Sequence, residues 1–396
     1  MKKTLLLIFG ILFFSALGYT AFYFGTQTSS PETVPVDENG NTLFPFGNTT
    51  NTGTGNGTNT TIQNPENQTG ELPRIRKIGN APVAGMYFSD NDQFLFVDKV
   101  KGNIYRGSTK EREIERLTIT TIPALKYAVF IDDAHVIVQN KDEDDVIVSI
   151  LGSFGDTLES ELSTTFLPEN IKEISPIENG FIYLQKKSTG ASVIQSDIEG
   201  SAQVLLFESG ISDWHMKAFS DTQVVLTSSP AFNEENYMYT LQQNGLLKLI
   251  TKGLGMSTQI SPKGEQIFVS ETNLPDTIES SLISLEDTNP TVLNGIRTLA
   301  DKCVWGNGTN SILYCAVPES IPTEAYPDAW YQGVVSFSDR IWKIDTVRGN
   351  ADLIADFPKE IGQSLDATQL TVNDSGEYIL FINKKDSTLW SVKIID

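Results

Sequence analysis

After residue 80 the chain repeats one arrangement of polar and apolar positions. Each copy is a turn rich in Asp, Asn or Gly, an alternating apolar run, a second turn, and another apolar run. Seven copies begin near Ser89, Ile131, Ile177, Ser220, Ser261, Asn307 and Asn373, and successive starts lie 41–46 residues apart except for a longer last gap. Aromatic and β-branched residues at near period two, bounded by turn residues, read as antiparallel strands. A further strand lies on either side of the hairpin, such as Tyr127–Ile131 before copy two and Glu115–Thr120 after copy one. Each repeat therefore holds four strands, A to D in chain order. Short strands at a period of roughly 40–50 residues predict a β-propeller. The expected fold is all-β: a seven-bladed β-propeller of four-stranded antiparallel blades over residues 71–396.

The ring has to close. Copy seven ends at Val392–Asp396, with room for strand C and none for strand D. Ahead of copy one, Arg74–Phe88 matches Arg116–Phe130 in pattern: a D strand, a Pro-containing loop and an A strand. Arg74–Ile78 is therefore expected to be the outer strand of the last blade, since an unpaired blade would expose an edge. The competing reading is an unpaired N-terminal extension.

The first 70 residues differ in kind. Residues 5–24 are almost wholly apolar and uncharged, long enough to span a bilayer, and Lys2 and Lys3 precede them. The positive-inside rule puts the N-terminus in the cytoplasm and the propeller outside. A signal peptide cleaved near Ala16-Leu17-Gly18 is the alternative, but the apolar run continues through Phe24. Residues 1–25 are thus expected to be a transmembrane anchor or uncleaved signal. Residues 26–70 are expected to be a disordered linker, because 19 of the 24 residues from Gly47 to Gly70 are Asn, Thr or Gly. As a coil from Ser30 to Gly70 it would reach roughly 35 Å. Asn48 and Asn59 start Asn-x-Thr triplets, which are glycan acceptors only where exported proteins are glycosylated.

Charge narrows the partners. Residues 71–396 carry 27 basic and 46 acidic side chains, a net of −19. Such a surface repels phosphate backbones, so nucleic acid is not an expected partner. The two cysteines, Cys303 and Cys315, flank a turn signal at Asn307–Asn310, and hairpin pairing would place them opposite each other, within disulfide range. Outside the cell that bond should form. No His or third Cys is placed to make a metal site with them.

The Ser/Asn-x-x-Gly turns and the spacing over residues 74–396 resemble the WD40-like propeller repeat family, without its Trp-Asp dipeptide. That resemblance implies a fold and no activity. The run Tyr326–Gly333, after the Cys303–Pro318 hairpin, is similar to a segment of uncharacterised membrane-anchored propeller proteins from candidate-phyla bacteria, which implies a bacterial envelope location.

Three consecutive B–C connections are long: Ser228–Tyr237, Glu271–Ser280 and Ala316–Gly333. Adjacent blades would gather them on one rim. The third holds Tyr326, Trp330 and Tyr331 among Pro318, Pro322 and Pro327, rigid amphipathic contact chemistry. The expected binding set is Phe232, Tyr237, Tyr326, Asp328, Trp330 and Tyr331. The alternative is a loop that packs its aromatics inward. Catalytic sets are sparse. His135 reads as a structural strand residue, while His215 falls on an inner A strand and could face the channel. The acidic turn Lys141–Asp145 lacks the Gly and distal Glu of a calcium loop. No cofactor is expected. The reading is a membrane-anchored extracytoplasmic propeller that acts as a protein- or glycan-binding or scaffold module at the cell envelope. The alternative is a propeller hydrolase or lyase acting on envelope sugars, peptides or lactones, which would need carboxylates and His converging in the channel.

Overall fold

The computed structural model describes residues 71–394, apart from Asn91, Pro275, Asp276, Asn307, Thr309 and Asn310. The anchor, linker and glycan-acceptor expectations lie outside the described residues. Among the described residues no helix is long and apolar enough to cross a membrane.

All sheets of the described chain are antiparallel, with short helical turns in three connections. Copies two to six each form a separate four-stranded sheet in chain order. Copies seven and one share a seven-stranded sheet, because one 14-residue strand, Ile75–Phe88, serves both. Its first part pairs with the last strand of the chain: Ile75 opposes Val392 and Lys77 opposes Trp390. Its second part is strand A of copy one, with Gly85 opposite Val97 and Phe88 opposite Phe94. Closure by Arg74–Ile78 thus occurs as expected, with one correction. No loop separates the two roles; the strand runs straight through Pro82, and the register shifts between Lys77 and Pro82. Proline lacks an N–H for the ladder, so a bulge at this position fits its chemistry.

The turns show why the repeat tolerates variation. In copies five and seven, Gly264 and Gly376 adopt positive φ, +72° and +70°, where an L side chain would be strained. Copies one and two have no Gly there. Instead Asp90 Oδ1 accepts from the N–H groups of Asp92 and Gln93, and Asp132 Oδ1 from those of Ala134 and His135. An Asx turn does the work of the glycine.

Burial follows position in the sheet. The second strand of copy seven, Tyr378–Asn383, is buried at every residue, as a strand covered on both faces must be. The first strand of copy four, Trp214–Ala218, alternates buried and exposed. Core clusters lie between neighbouring copies: Leu95 and Val97 of copy one meet Phe130 and Val136 of copy two. Leu380 and Leu389 of copy seven meet Phe94 and Phe96 of copy one.

Candidate functional site

The innermost strands border a cavity of about 520 Å³. Its wall includes Tyr127 of copy two, Lys172 and Glu173 of copy three, His215 and Lys217 of copy four, and Thr258 of copy five. Asp301 and Tyr331 of copy six complete it. His215 faces the channel, and strand alternation explains its company. Trp214, Met216 and Ala218 point into the core between copies three and four, so His215 and Lys217 point the other way.

Glu173 organises one side of this cavity. One oxygen lies 2.5 Å from His215 Nδ1, and the other accepts the N–H of Met216. Burial alone would lower the His215 pKa, but the hydrogen bond and charge of Glu173 outweigh it and hold the pKa above the ordinary 6.5. On the other side Tyr331 Oη donates to Asp301 Oδ2 at 2.6 Å. Burial, and then the Asp301 charge, push the Tyr331 phenol well above its ordinary value. Lys217 shifts the other way, lowered chiefly by burial despite nearby Glu173 and Asp301. Tyr127, Lys217 and Tyr331 all keep open surface, yet that surface faces the cavity, so protein surrounds their charged or polar ends.

The long connections do meet. In copy four, Ser229–Glu234 links strands B and C; in copy six, Glu319–Ser338 does so and carries a short helix, Asp328–Tyr331. Asp328 accepts the backbone N–H of Phe232, and Thr272 of copy five donates to the Tyr326 carbonyl at 2.8 Å. Copy five needs a correction, however. Its stretch is no open loop, because strands Gln266–Leu274 and Thr277–Ser284 pair as far as Leu274 opposite Thr277.

The copy-six connection is a strap, and its aromatics divide. Tyr326 and Trp330 are buried, 0 % and 3 % exposed, in a cluster with Ile278, Leu299, Val335 and Phe337. These two expected contact residues are therefore interior, because their rings fill the space under the strap. Tyr331 is exposed into the cavity and Phe232 is half-buried beside the strap. Tyr237 sits apart on the third strand of copy four, where its hydroxyl donates to Glu235. Cys303 and Cys315 are directly opposed, 4.1 Å between Cα atoms, and form the disulfide at the root of the strap.

Beneath the strap lies a group that the sequence pattern did not flag. Lys302, Asp339 and Asp366 are all fully buried. Lys302 Nζ donates to Asp339 Oδ2 at 2.8 Å, Asp366 Oδ1 at 2.6 Å and the Ala367 carbonyl at 2.9 Å. Asp366 also accepts from Trp330 Nε1, Ser336 Oγ and the Phe337 N–H. The Lys302 ammonium lies 5.0 Å from the Trp330 ring centre, and Lys384 lies 4.9 Å from the same ring. Burial pushes Asp339 up to about 6 against the opposing pull of Lys302. For Asp366 burial is again the largest effect, but Lys302 and the other donors outweigh it and hold its pKa below the ordinary value.

His135 is tied to Asp132 at 2.9 Å, in keeping with a structural part. Among the described residues no three His, Cys, Asp or Glu side chains are grouped so as to hold a metal ion.

Sequence comparison finds no family model and no curated protein that matches, so nothing supports the likeness to membrane-anchored candidate-phyla proteins. The fold matches YCF48 bound to D1 peptide with a TM-score of 0.52 at 10 % identity, covering 82 % of this chain and 98 % of that one. The chain is a β-propeller. Oligogalacturonate lyase from Vibrio parahaemolyticus matches with a TM-score of 0.52 at 9 % identity, covering 81 % of this chain and 94 % of the lyase. The Pan2 WD40 domain of Neurospora crassa matches with a TM-score of 0.50 at 10 % identity, covering 80 % and 92 %. Identities this low carry the WD40-like propeller fold to this chain and no activity.

Proposed function

We propose that this propeller is a non-enzymatic binding module of the cell envelope. It is seven-bladed, anchored by the N-terminal apolar segment with the N-terminus in the cytoplasm, and displayed outside on the Asn/Thr/Gly-rich tether. It holds a protein or glycan partner at the central cavity. The observation that carries this reading is the cavity itself. It brings polar side chains from four consecutive inner strands to one place, and the longest connection of the repeat adds Tyr331 to its wall. A concave site with few, well-placed polar groups is the usual form of a ligand site. The Cys303–Cys315 disulfide suits an oxidising compartment. The contact set moves inward from the expected surface residues: Tyr331 and Phe232 remain, and the cavity wall replaces Tyr326 and Trp330.

A hydrolase or lyase is the second reading, and it rests on the His215–Glu173 pair. Both cavity carboxylates nearest that pair are already engaged, Glu173 by His215 and Met216, and Asp301 by Tyr331. An arrangement so satisfied is better suited to holding a ligand than to moving its protons.

The test is a glycan and peptide array probed with the full-length protein in detergent, repeated with Tyr331→Ala and His215→Ala. Ligands lost by both variants at an unchanged melting temperature support the cavity reading. Ligands retained by both place the site elsewhere, and turnover of a bound ligand establishes the enzyme.

A further inference from the structure

Lys217 is the cation of the cavity wall that has no protein partner among the described residues. The charged groups that share its wall are engaged: Glu173 by His215 and the Met216 N–H, Asp301 through Oδ2 by Tyr331, and Lys172 by the Trp214 carbonyl. Among the described residues Lys217 itself has no hydrogen-bond or ion-pair partner, though its side chain lines the cavity and is ringed by Tyr127, Lys172, Glu173, His215, Asp301 and Tyr331. An ammonium that faces a concave space, with its own pKa lowered by burial, gains most from a ligand that carries a negative charge.

We infer that Lys217 anchors a carboxylate of the ligand that the cavity receives, either the carboxylate of a uronic acid residue or the free C-terminus of a peptide. This rests on the reading of the cavity as the ligand site and names the chemistry that the site selects. Position favours a carboxylate over a cation. Both oxygens of Glu173 and Oδ2 of Asp301 are turned to donors already present, whereas the Lys217 donors have no partner among the described residues. His215, two residues along the same strand and held above its ordinary pKa, presents a second donor to the same space when its ring is protonated. A ligand carboxylate could thus accept from Lys217, while neighbouring sugar hydroxyls or amides meet Gln139, Thr258 and Tyr331.

The experiment is lysine NMR on the full-length protein in detergent. Reductive 13C-dimethylation keeps each lysine charged, and the Lys217 signal is assigned by its loss in Lys217→Arg. Galacturonate and acetyl-alanyl-alanine are titrated against galactose and acetyl-alanyl-alanine amide, and the His215 ring signals are followed in parallel. The expected result is a saturable shift at Lys217 with one or both carboxylates and none with its neutral counterpart. Which carboxylate acts tells a sugar source from a peptide source. Lys217→Met should weaken that carboxylate by roughly tenfold or more, the usual worth of a charged hydrogen bond, at an unchanged melting temperature. Equal response to acid and neutral probes, or undiminished binding by Lys217→Met, overturns the assignment. If neutral probes move His215 while no probe moves Lys217, the cavity binds ligand and the role of Lys217 fails. If no probe moves either, both the assignment and the cavity reading fail.

Discussion

Replacing Lys302 by Met should be among the most damaging single changes in the propeller. The side chain is fully buried and donates to two carboxylates and a backbone carbonyl. Methionine matches its length but leaves Asp339 and Asp366 without their cation. Removing one partner of a buried charge network costs about 3–5 kcal/mol, because the remaining charge must be neutralised or left unpaired. With an unfolding entropy of about 2.1 cal/mol/K per residue over roughly 320 residues, that cost is a fall in melting temperature of about 4–7 °C. Calorimetry at pH 7.5 and pH 5 checks it, and the pH dependence has a definite sign. Asp339 has a folded pKa raised to about 6, so its contribution to stability is full below its unfolded value and is lost as pH rises through about 6. Asp366 has a lowered folded pKa, so its contribution is present above the unfolded value and is lost as pH falls through the folded one. Without Lys302 both carboxyls favour the proton, and protonating them is harder at pH 7.5 than at pH 5. The deficit should therefore be larger at pH 7.5. Adding Asp339→Asn and Asp366→Asn to the Met variant should recover part of the loss. A Lys302→Met protein that melts within about 1 °C of the parent at both pH values would refute the argument.

Glu173→Gln should move the NMR titration of His215 from above the ordinary histidine value to below it, since burial remains while the partner that offsets it is gone; an unmoved midpoint would detach the pair. Cys303→Ala with Cys315→Ala should cost about 3 kcal/mol by the loop-entropy relation for a closed loop of this size, read as the difference between denaturation midpoints of the double variant and the oxidised parent. Trp330→Ala should lose about 3–5 kcal/mol as a buried ring is deleted, whereas Tyr331→Ala, exposed into the cavity, should leave chemical denaturation within about 1 kcal/mol of the parent. Equal losses for the two would show that the strap aromatics share one environment.

Much of the fold was legible because a repeat reports itself many times over. The turn punctuation, the missing last strand and the matching N-terminal segment each follow from strand periodicity and from the penalty on an open edge. What the pattern could not give was direction. Tyr326, Trp330 and Tyr331 share one Pro-rich segment, and no periodicity in a loop says which ring turns inward. The copy-five stretch Glu271–Ser280 looked like a loop for its Asn-Leu-Pro-Asp run, yet cross-strand pairing carried the hairpin through it. Lys302 escaped notice because it lies in a short helical turn outside the strand pattern, and its partners come from positions 37 and 64 residues further along. Lys217 was within reach. His215 was placed at the channel, and the same alternation carries its neighbour two residues on to the same face.

The strap and the cavity are two sides of one joint. Asp301 and Lys302 are adjacent in sequence, as are Trp330 and Tyr331, and the two pairs interlock. On the cavity side Tyr331 donates to Asp301; on the interior side Lys302 and Trp330 both bind Asp366. Neighbouring residues share one backbone path, so the buried network that holds Lys302 and Trp330 also fixes the Cα positions from which Asp301 and Tyr331 reach the cavity. The placement of Tyr331 therefore does not rest on its hydroxyl contacts with Asp301 and Ser257 alone. It depends on Trp330, whose indole is held by Asp366 and lies against both Lys302 and Lys384. On this account the expense of burying a lysine and two aspartates is explained by position rather than stability, since well-packed apolar residues could stabilise the same core at least as well. Apolar side chains would fill the volume beneath the strap, but they would not fix the rotation of the Trp330–Tyr331 turn that presents the phenol to the cavity.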